Sequence, residues 1–244
     1  ILFLAAENAE RMFPKSRRFL DNRYSTLETM LNSAFRSAKI KEIVKAVKES
    51  IEALDDKPDD FAPVSKLLNT TSRCIKAIRT NYNITTLLDS YERVADKLKG
   101  VGSGEDCYFD ILKDNALAHS MLLLGNQIWA HTTLKNAINH LGTTNGIDYI
   151  DAASQLIQTI ESFPLDSRGE LLKDFMNSLT AEIASHYHYY ESAESPLFGK
   201  VIPLFDQLME AGISKDKFMH EKLRDYQQRD ELMILTRILS ESVS

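Results

Sequence analysis

The stretch richest in groups that could bind a metal or transfer protons is SHYHYYES, residues 185–192. His186 and His188 are two positions apart. Because a helix turns by about 100° per residue, their side chains would diverge by about 200°. Histidines that chelate one metal from a helix are three or four residues apart, and zinc takes three or four protein ligands. Only Glu191 stands at such a spacing from His188. The stretch therefore predicts a structural helix, with no metal and no cofactor.

The residues before this stretch explain why it is expected to be helical. Apolar side chains recur every three or four positions, which is the period of an amphipathic helix. The side chains expected on its buried face are Leu172, Phe175, Met176, Leu179, Ile183, His186 and Tyr190. Tyr187 lies on another side of the helix. Since tyrosine rings bury area in interfaces while keeping a polar tip, the flank formed by Tyr187 and Tyr190 is also expected to bind a partner.

The motifs of common catalytic sites are absent from the sequence. It contains no GxSxG, HExxH or CxxC pattern and no glycine motif for phosphates or dinucleotides. The spacing of His119, His131 and His140 does not place them on one helical patch. Cys74 and Cys107 are the only cysteines, too few for a disulfide framework. The chain is therefore expected to have no catalytic centre of its own, and a reducing cytoplasm is its expected compartment.

One segment differs strongly in charge from the rest of the chain. Residues 11–48 hold ten basic and three acidic residues, a formal charge of +7, which leaves −13 for the remainder because the whole chain carries −6. The net acidity disfavours nucleic acid as a partner. The basic segment could meet an acidic protein, a phosphate or an anionic lipid surface, or it could be a solvated helix face balanced by nearby acids. The residues expected to bind are Lys15, Arg17, Arg18, Arg23, Lys41, Lys45 and Lys48.

A second basic cluster lies in TSRCIKAIRTNYN, residues 71–83. Arg73, Lys76 and Arg79 are three residues apart from one another, and asparagines follow them. An exposed arginine beside amides could enter the nucleotide site of a GTPase, which makes Arg73 and Arg79 the candidate catalytic residues of an arginine-finger mechanism. The alternative is a basic helix end that complements the dipole of its own helix.

The apolar pattern of nearly the whole chain has the helical period, with proline and glycine between the periodic segments. It predicts an all-α fold, a multi-helix bundle or irregular array of about nine antiparallel helices. A capping box at Ser25 and Glu28 is expected to open a long helix with a kink near Ser37 and an apolar stripe over 40–54, preceded by a polar loop over 14–23. Helices are also expected at 1–13 and 215–242, and two others are expected to end at Gly100 and Gly212. The glycines at 100–104 are expected to separate two helical subdomains, 1–100 and 105–244.

These observations favour a non-enzymatic protein–protein interaction module of a larger cytosolic protein with a regulatory or trafficking role, of which this chain would be a fragment. The alternative is a GTPase-activating module that supplies Arg73 or Arg79 to a small GTPase. A third hypothesis is peripheral binding to an anionic membrane through the basic N-terminal region.

Overall fold

The computed structural model describes residues 17–55, 61–101, 107–144, 146–190 and 196–213. The regular structure in these ranges is helical throughout, which confirms the all-α prediction. The elements are α1 (Arg17–Ser37), α2 (Ile40–Leu54), α3 (Phe61–Ile78), α4 (Thr85–Lys99), α5 (Cys107–Leu124), α6 (Gln127–Leu141), α7 (Gly146–Glu161), α8 (Leu165–Ser185), the single turn α9 (Tyr187–Tyr190) and α10 (Pro196–Glu210). The helices predicted at 1–13 and 215–242 lie outside the described residues.

The described residues fall into two compact units. Residues up to 101 group with 112–130 in the first unit, and residues 107–111 group with those from 131 onward in the second. The domain boundary expected at 100–104 stays a prediction, because the segment 112–130 belongs with the N-terminal helices in this division.

The first unit is built on α1, α2 and α3, each of which packs against the other two. On α2 the predicted apolar stripe is buried, with Val47 and Leu54 almost inaccessible to solvent. Burying an aliphatic side chain of this size stabilises the fold by about 1.5–3 kcal/mol. Only residues 38 and 39 separate α1 from α2, and a short connection leads to α3. Connections of this length favour antiparallel packing of neighbouring helices.

Helix α1 begins earlier than the sequence predicted. It starts at Arg17, so the expected polar loop over 14–23 is wrong from that residue onward. Ser25 lies inside the helix, where its carbonyl accepts a 2.9 Å hydrogen bond from the Thr29 hydroxyl. A capping box stabilises only N–H groups that have no partner, and a preceding helical turn already supplies partners to these groups.

The kink predicted near Ser37 is a complete break between helices. Ala38 adopts φ +55°, a left-handed conformation that glycine favours at this position after a helix. The Ser37 hydroxyl lies 2.7 Å from the Ala34 carbonyl and 3.1 Å from Oε2 of Glu42, so its one proton can be donated to either acceptor at the junction of the two helices. The break allows α2 to fold back along α1.

A buried lysine closes the C-terminal end of α4. The ammonium of Lys113, on α5, donates to the carbonyls of Lys99 at 3.3 Å and Val101 at 2.6 Å. The last carbonyls of a helix have no partner within it, and a cation is favoured there by the helix dipole. Helix α4 ends at Gly100, as predicted. Lys113 donates hydrogen bonds to carbonyl groups that have no partner within the helix at this end.

The second unit is organised by α7 and α8, which pack against each other, and by α10, which packs against α7. The side chains predicted on the buried face of α8 include Phe175 and Ile183, and both are fully buried. Gly212 ends α10 in the left-handed region, with the N–H of Ile213 donating to the Leu208 carbonyl at 3.1 Å. This hydrogen bond is the 6→1 bond of a Schellman motif, a helix end that the presence of Gly212 predicted.

Candidate functional sites: a basic helix end and a polar cleft

Within the described part of the chain, no helix is both long and apolar enough to span a bilayer. In the same residues no three histidine, cysteine or acidic side chains group in a way that could hold a metal ion. Burial raises the pKa of the Cys74 thiol to about 11, so this thiol stays protonated and is a poor nucleophile. The candidate sites are therefore identified from the charge of the exposed side chains and from the shape of the surface.

The first candidate is a concentration of positive charge at one end of the α1–α2–α3 cluster. We infer from the short connections and the mutual packing of these helices that the C-terminal ends of α1 and α3 lie near the N-terminal end of α2. We name this surface the basic end. Its exposed side chains are Arg36, Lys39, Lys41, Lys45, Arg73, Lys76 and Arg79.

Little negative charge balances the basic end. Lys39 pairs with Glu42 at 3.0 Å, and this contact, with the Ser37 hydroxyl, lowers the pKa of the Glu42 carboxyl. The 3.7 Å contact of Lys45 with Glu49 is longer, and Lys45 is 78% exposed. Exposed pairs of this kind contribute about 0.2–1 kcal/mol. Lys41, Arg73, Lys76 and Arg79 form no ion pair with the residues that the structure describes.

Two aromatic side chains lie at the same end. Phe35, in the last turn of α1, is 40% exposed, and Tyr82, four residues beyond the end of α3, is 41% exposed. Most large apolar side chains of the first unit are buried, so these two are exceptions. Aromatic side chains and arginines are enriched in protein interfaces, whereas lysines belong mostly to the rest of the surface.

The other predicted basic residues add less positive charge to the basic end. Lys15 lies outside the described residues, and of Arg17 and Arg18 only the helical backbone is described. Arg23 is half-buried and engaged by other groups. Lys48 is exposed on the same face of α2 as Lys41 and Lys45, one turn further from the basic end. The structure therefore brings the C-terminal part of the predicted basic region together with the second basic cluster.

The arginine-finger residues are both accessible, in different settings. Arg73 lies on α3, and Arg79 lies in the turn just after its last residue. The nearby amide of Asn83 is already used, since its Oδ1 accepts hydrogen bonds from the N–H of Thr85 at 3.1 Å and from the Thr85 hydroxyl at 2.8 Å. Asn83 therefore stabilises the turn that leads into α4, whose N-cap residue is Ile84.

The histidine and tyrosine stretch is partly helical, as predicted. Helix α8 ends at Ser185, His186 leaves the helical conformation, and the short α9 follows. His188 is exposed, and the side chain of Tyr187 lies outside the described residues. Tyr190 is only 1% exposed. Its ring faces the core, as the stripe predicted, and its expected role on a binding flank stays a prediction.

Glu182 is the centre of the polar network around this stretch. Its Oε1 accepts hydrogen bonds from the backbone N–H of Gly146 at 3.1 Å and from the Tyr190 hydroxyl at 3.2 Å. Its Oε2 lies 2.9 Å from Nδ1 of His186. Burial, and then the nearby Glu182 carboxylate, raise the pKa of Tyr190. One buried carboxylate thus fixes the start of α7, the end of α8 and α9 against one another.

Glu182 and His186 also form one end of a polar cleft between α6 and α8. The cleft has a volume of about 570 Å³, within the range of small-molecule sites. From α6 and the turn that follows, it is lined by Lys135, Asn139 and Thr143, among others. The residues of α8 that line it recur every three or four positions, namely Asp174, Asn177, Ser178, Ala181, Glu182 and Ser185.

Ion pairs close the opposite end of the cleft. Lys135 contacts both Glu170 and Asp174, the latter at 3.3 Å. Hydrogen bonds to these two carboxylates raise the pKa of Lys135, and the one from Lys135 lowers the pKa of Glu170. His131 lies 3.9 Å from Glu170 and packs edge-on against the ring of Phe163. At this end, the carboxylates of Glu170 and Asp174 both contact the ammonium of one lysine, Lys135.

Sequence reasoning missed the cleft and part of the basic end. For the cleft the available signal was a stripe of small and polar residues on α8, from Asp174 to Ser185, beside the apolar stripe. Glu182 stands four residues before His186, a spacing at which helical side chains meet. Phe35 and Tyr82 gave no signal, because apolar residues near helix ends are buried in most proteins.

Comparison of the chain with models of known families, with curated proteins and with solved structures finds no match.

Proposed function

We propose that this chain is a helical protein–protein interaction module of a regulatory or trafficking protein of the cytoplasm, and that its basic end docks an acidic segment of a partner. The observations that support this most are the seven exposed cations on or beside three helices that pack against one another, and the partial exposure of Phe35 and Tyr82. Complementary charge steers a partner to such a surface, and partly buried aromatic rings hold it.

An acidic protein segment fits this surface better than a membrane does. A ring that anchors a protein in lipid must enter the interface region of the bilayer. Phe35 is 40% exposed and Tyr82 is 41% exposed, so the protein covers more than half of each side chain. An apolar side chain of a partner can pack against the exposed part of these two rings. An acidic peptide that carries a large apolar residue among its carboxylates would supply such a side chain.

The GTPase-activating hypothesis stays a prediction. Arg73 and Arg79 are exposed, but many surface arginines are. The Oδ1 of Asn83, which could have oriented a water molecule, accepts two hydrogen bonds from Thr85.

A binding titration with two variants tests the docking proposal. The probe is a fluorescent peptide of glutamates around one phenylalanine, and its anisotropy reports binding. The first variant, Lys41→Glu with Lys76→Glu, reverses two charges of the basic end. The matched control, Lys66→Glu with Lys173→Glu, makes the same change in net charge at exposed lysines elsewhere.

We expect the first variant to weaken peptide binding by roughly tenfold, since each reversal removes one attraction and adds one repulsion. The control should bind the peptide like the unmodified protein, and a peptide with glutamine in place of glutamate should not bind. Equal weakening in both variants would show a general charge effect and would overturn the proposal. So would vesicles of phosphatidylcholine and phosphatidylserine that bind while the peptide does not.

A further inference from the structure

We propose that the cleft between α6 and α8 binds a linear polyamine, a ligand that carries several ammonium groups on a flexible aliphatic chain. Its volume of about 570 Å³ lies within the range of small-molecule sites. Asp174 and Glu182, both on α8, line the cleft. They are about 12 Å apart along the helix axis at a rise of about 1.5 Å per residue. A ligand that extends along the cleft therefore passes one carboxylate after the other.

The charged groups of the cleft leave an excess of negative charge. Glu170 and Asp174 share one lysine, Lys135. Oδ2 of Asp174 is 3.3 Å from this lysine, and the side chain is 28% exposed, so Oδ1 can accept a hydrogen bond from a ligand. At the other end Glu182 is paired with His186, which compensates its charge only when the imidazole is protonated. A cleft with this balance attracts cations and repels phosphates and carboxylates.

Helix ends add negative potential at the Glu182 end of the cleft. Helix α6 ends at Leu141 and α8 ends at Ser185, and residues at both of these ends line the cleft. The C-terminal end of a helix carries about half a negative charge and favours a nearby cation. The start of α7 offsets part of this potential, because the N–H of Gly146 donates to Glu182. Neither last turn contains a lysine or an arginine that would supply the cation.

Burial strengthens the attraction that Glu182 exerts on a cation. Its side chain is 5% exposed, so water and salt screen its charge less than they screen a surface carboxylate. Hydrogen bonds from Gly146 and Tyr190 hold the carboxylate in place. A negative charge that is already positioned avoids the entropy cost of ordering a side chain on binding.

The spread of the carboxylates favours a chain of amines over a single metal ion. Calcium and magnesium gather several oxygen ligands around one point, and no three such groups converge in the residues that the structure describes. The cleft is also lined by Ile138 and Ala181, against which the methylene groups of a polyamine can pack. Asn139 is exposed there, and its amide oxygen can accept a hydrogen bond from an ammonium group.

A titration with matched probes tests the proposal. The probes are spermidine, the shorter diamine putrescine and a straight-chain diol of the same length as spermidine, all at constant ionic strength. Amide chemical shifts in NMR spectra of the whole chain report binding. We expect saturable shifts at Asp174, Thr143 and Ser185 with spermidine and none with the uncharged diol. Putrescine should bind about tenfold more weakly, because it is too short to reach both carboxylates.

Two variants with matched controls locate the binding. Asp174→Asn removes a carboxylate from the cleft and should weaken spermidine binding by about fivefold. Its control, Asp151→Asn, removes an exposed carboxylate that also contacts a lysine, outside the cleft. Ser185→Lys places a tethered ammonium in the cleft and should weaken binding by about tenfold. Its control, Ser162→Lys, adds the same charge at an exposed position outside the cleft.

Both controls should bind spermidine like the unmodified protein, and circular dichroism checks that all four variants fold. A lysine side chain carries the same ammonium group, so a tetralysine peptide is titrated as well. Tighter binding of this peptide than of spermidine would assign the cleft to the lysines of a protein partner and would overturn the proposal. Saturable binding of the diol, equal weakening in variants and controls, or shifts spread over the exposed carboxylates of the whole chain would also overturn it.

Discussion

The hydroxyl of Tyr190 donates a 3.2 Å hydrogen bond to Oε1 of Glu182, and both side chains are buried. The same oxygen accepts from Gly146, and the other lies beside His186. A buried acceptor that serves several donors is costly to remove, because each donor then loses its partner in a place that water reaches poorly. The contact therefore links three elements of the second unit to one carboxylate.

We predict that Glu182→Ala lowers the free energy of unfolding by about 2–4 kcal/mol, since buried donors lose their acceptor. The comparison is Asp151→Ala, which removes an exposed carboxylate 3.6 Å from Lys200 and should change stability by less than about 1 kcal/mol. Urea unfolding followed by circular dichroism measures both. Similar losses for the two variants would mean that Glu182 is not the centre of this network.

The lysine that closes α4 gives a second prediction. Lys113→Met keeps the length of the aliphatic side chain but leaves the carbonyls of Lys99 and Val101 without their donor. We expect a loss of about 1–3 kcal/mol in the free energy of unfolding. The exposed Lys66→Met is the control and should be nearly neutral. Amide hydrogen exchange should also quicken in the last turn of α4, and unchanged protection there would contradict the capping role.

The left-handed residue between α1 and α2 predicts a stabilising substitution. Ala38 has φ +55°, where glycine has no steric penalty. Ala38→Gly should raise the free energy of unfolding by about 0.5–1 kcal/mol. Ala77→Gly, at an exposed position inside α3, should lower it by up to about 1 kcal/mol. Thermal unfolding of the two variants distinguishes backbone strain at residue 38 from a general effect of glycine.

Stability should depend on pH through His119. Burial lowers the pKa of its imidazole, and Nδ1 lies 3.1 Å from Oδ1 of Asn69. The unfolded chain, with an ordinary histidine pKa of about 6.5, binds a proton more readily than the folded protein. Stability from this group is therefore present above about pH 6.5 and is lost as the pH falls below that value.

The check is the urea midpoint at about pH 7.5 and about pH 5.5 in the unmodified protein and in His119→Gln. The unmodified protein should lose more stability between the two pH values than the variant does. The exposed His140→Gln serves as the control and should keep the full pH dependence. An identical pH dependence in His119→Gln and the unmodified protein would exclude His119 as the source.

The sequence predicted those parts of the fold that depend on local pattern. The stripe of α2, the end of α4 at Gly100 and the cap of α10 at Gly212 follow from apolar spacing and from glycine conformation. The start of α1 was wrong because a capping motif, here at Ser25, also occurs inside helices, where its groups already have partners.

The candidate sites depend on tertiary placement, which local pattern does not encode. Lys135 and Asp174 belong to different helices, and nothing in the sequence pairs them. The basic end joins Lys41 to Lys76 through the packing of α2 against α3. The spacing of Tyr190 in the sequence fits a position in a core as well as one in an interface. Its buried hydrogen bond to Glu182 places its side chain in the core.

The most direct test of docking at the basic end is to map where the acidic peptide binds on the chain. Amide chemical shifts of the whole chain would be recorded during a titration with the glutamate–phenylalanine peptide. Docking at the basic end predicts that the largest changes lie in the last turns of α1 and α3, in the first turns of α2 and around Tyr82. Changes that spread evenly over exposed lysines, or that centre on the second unit, would contradict docking at the basic end.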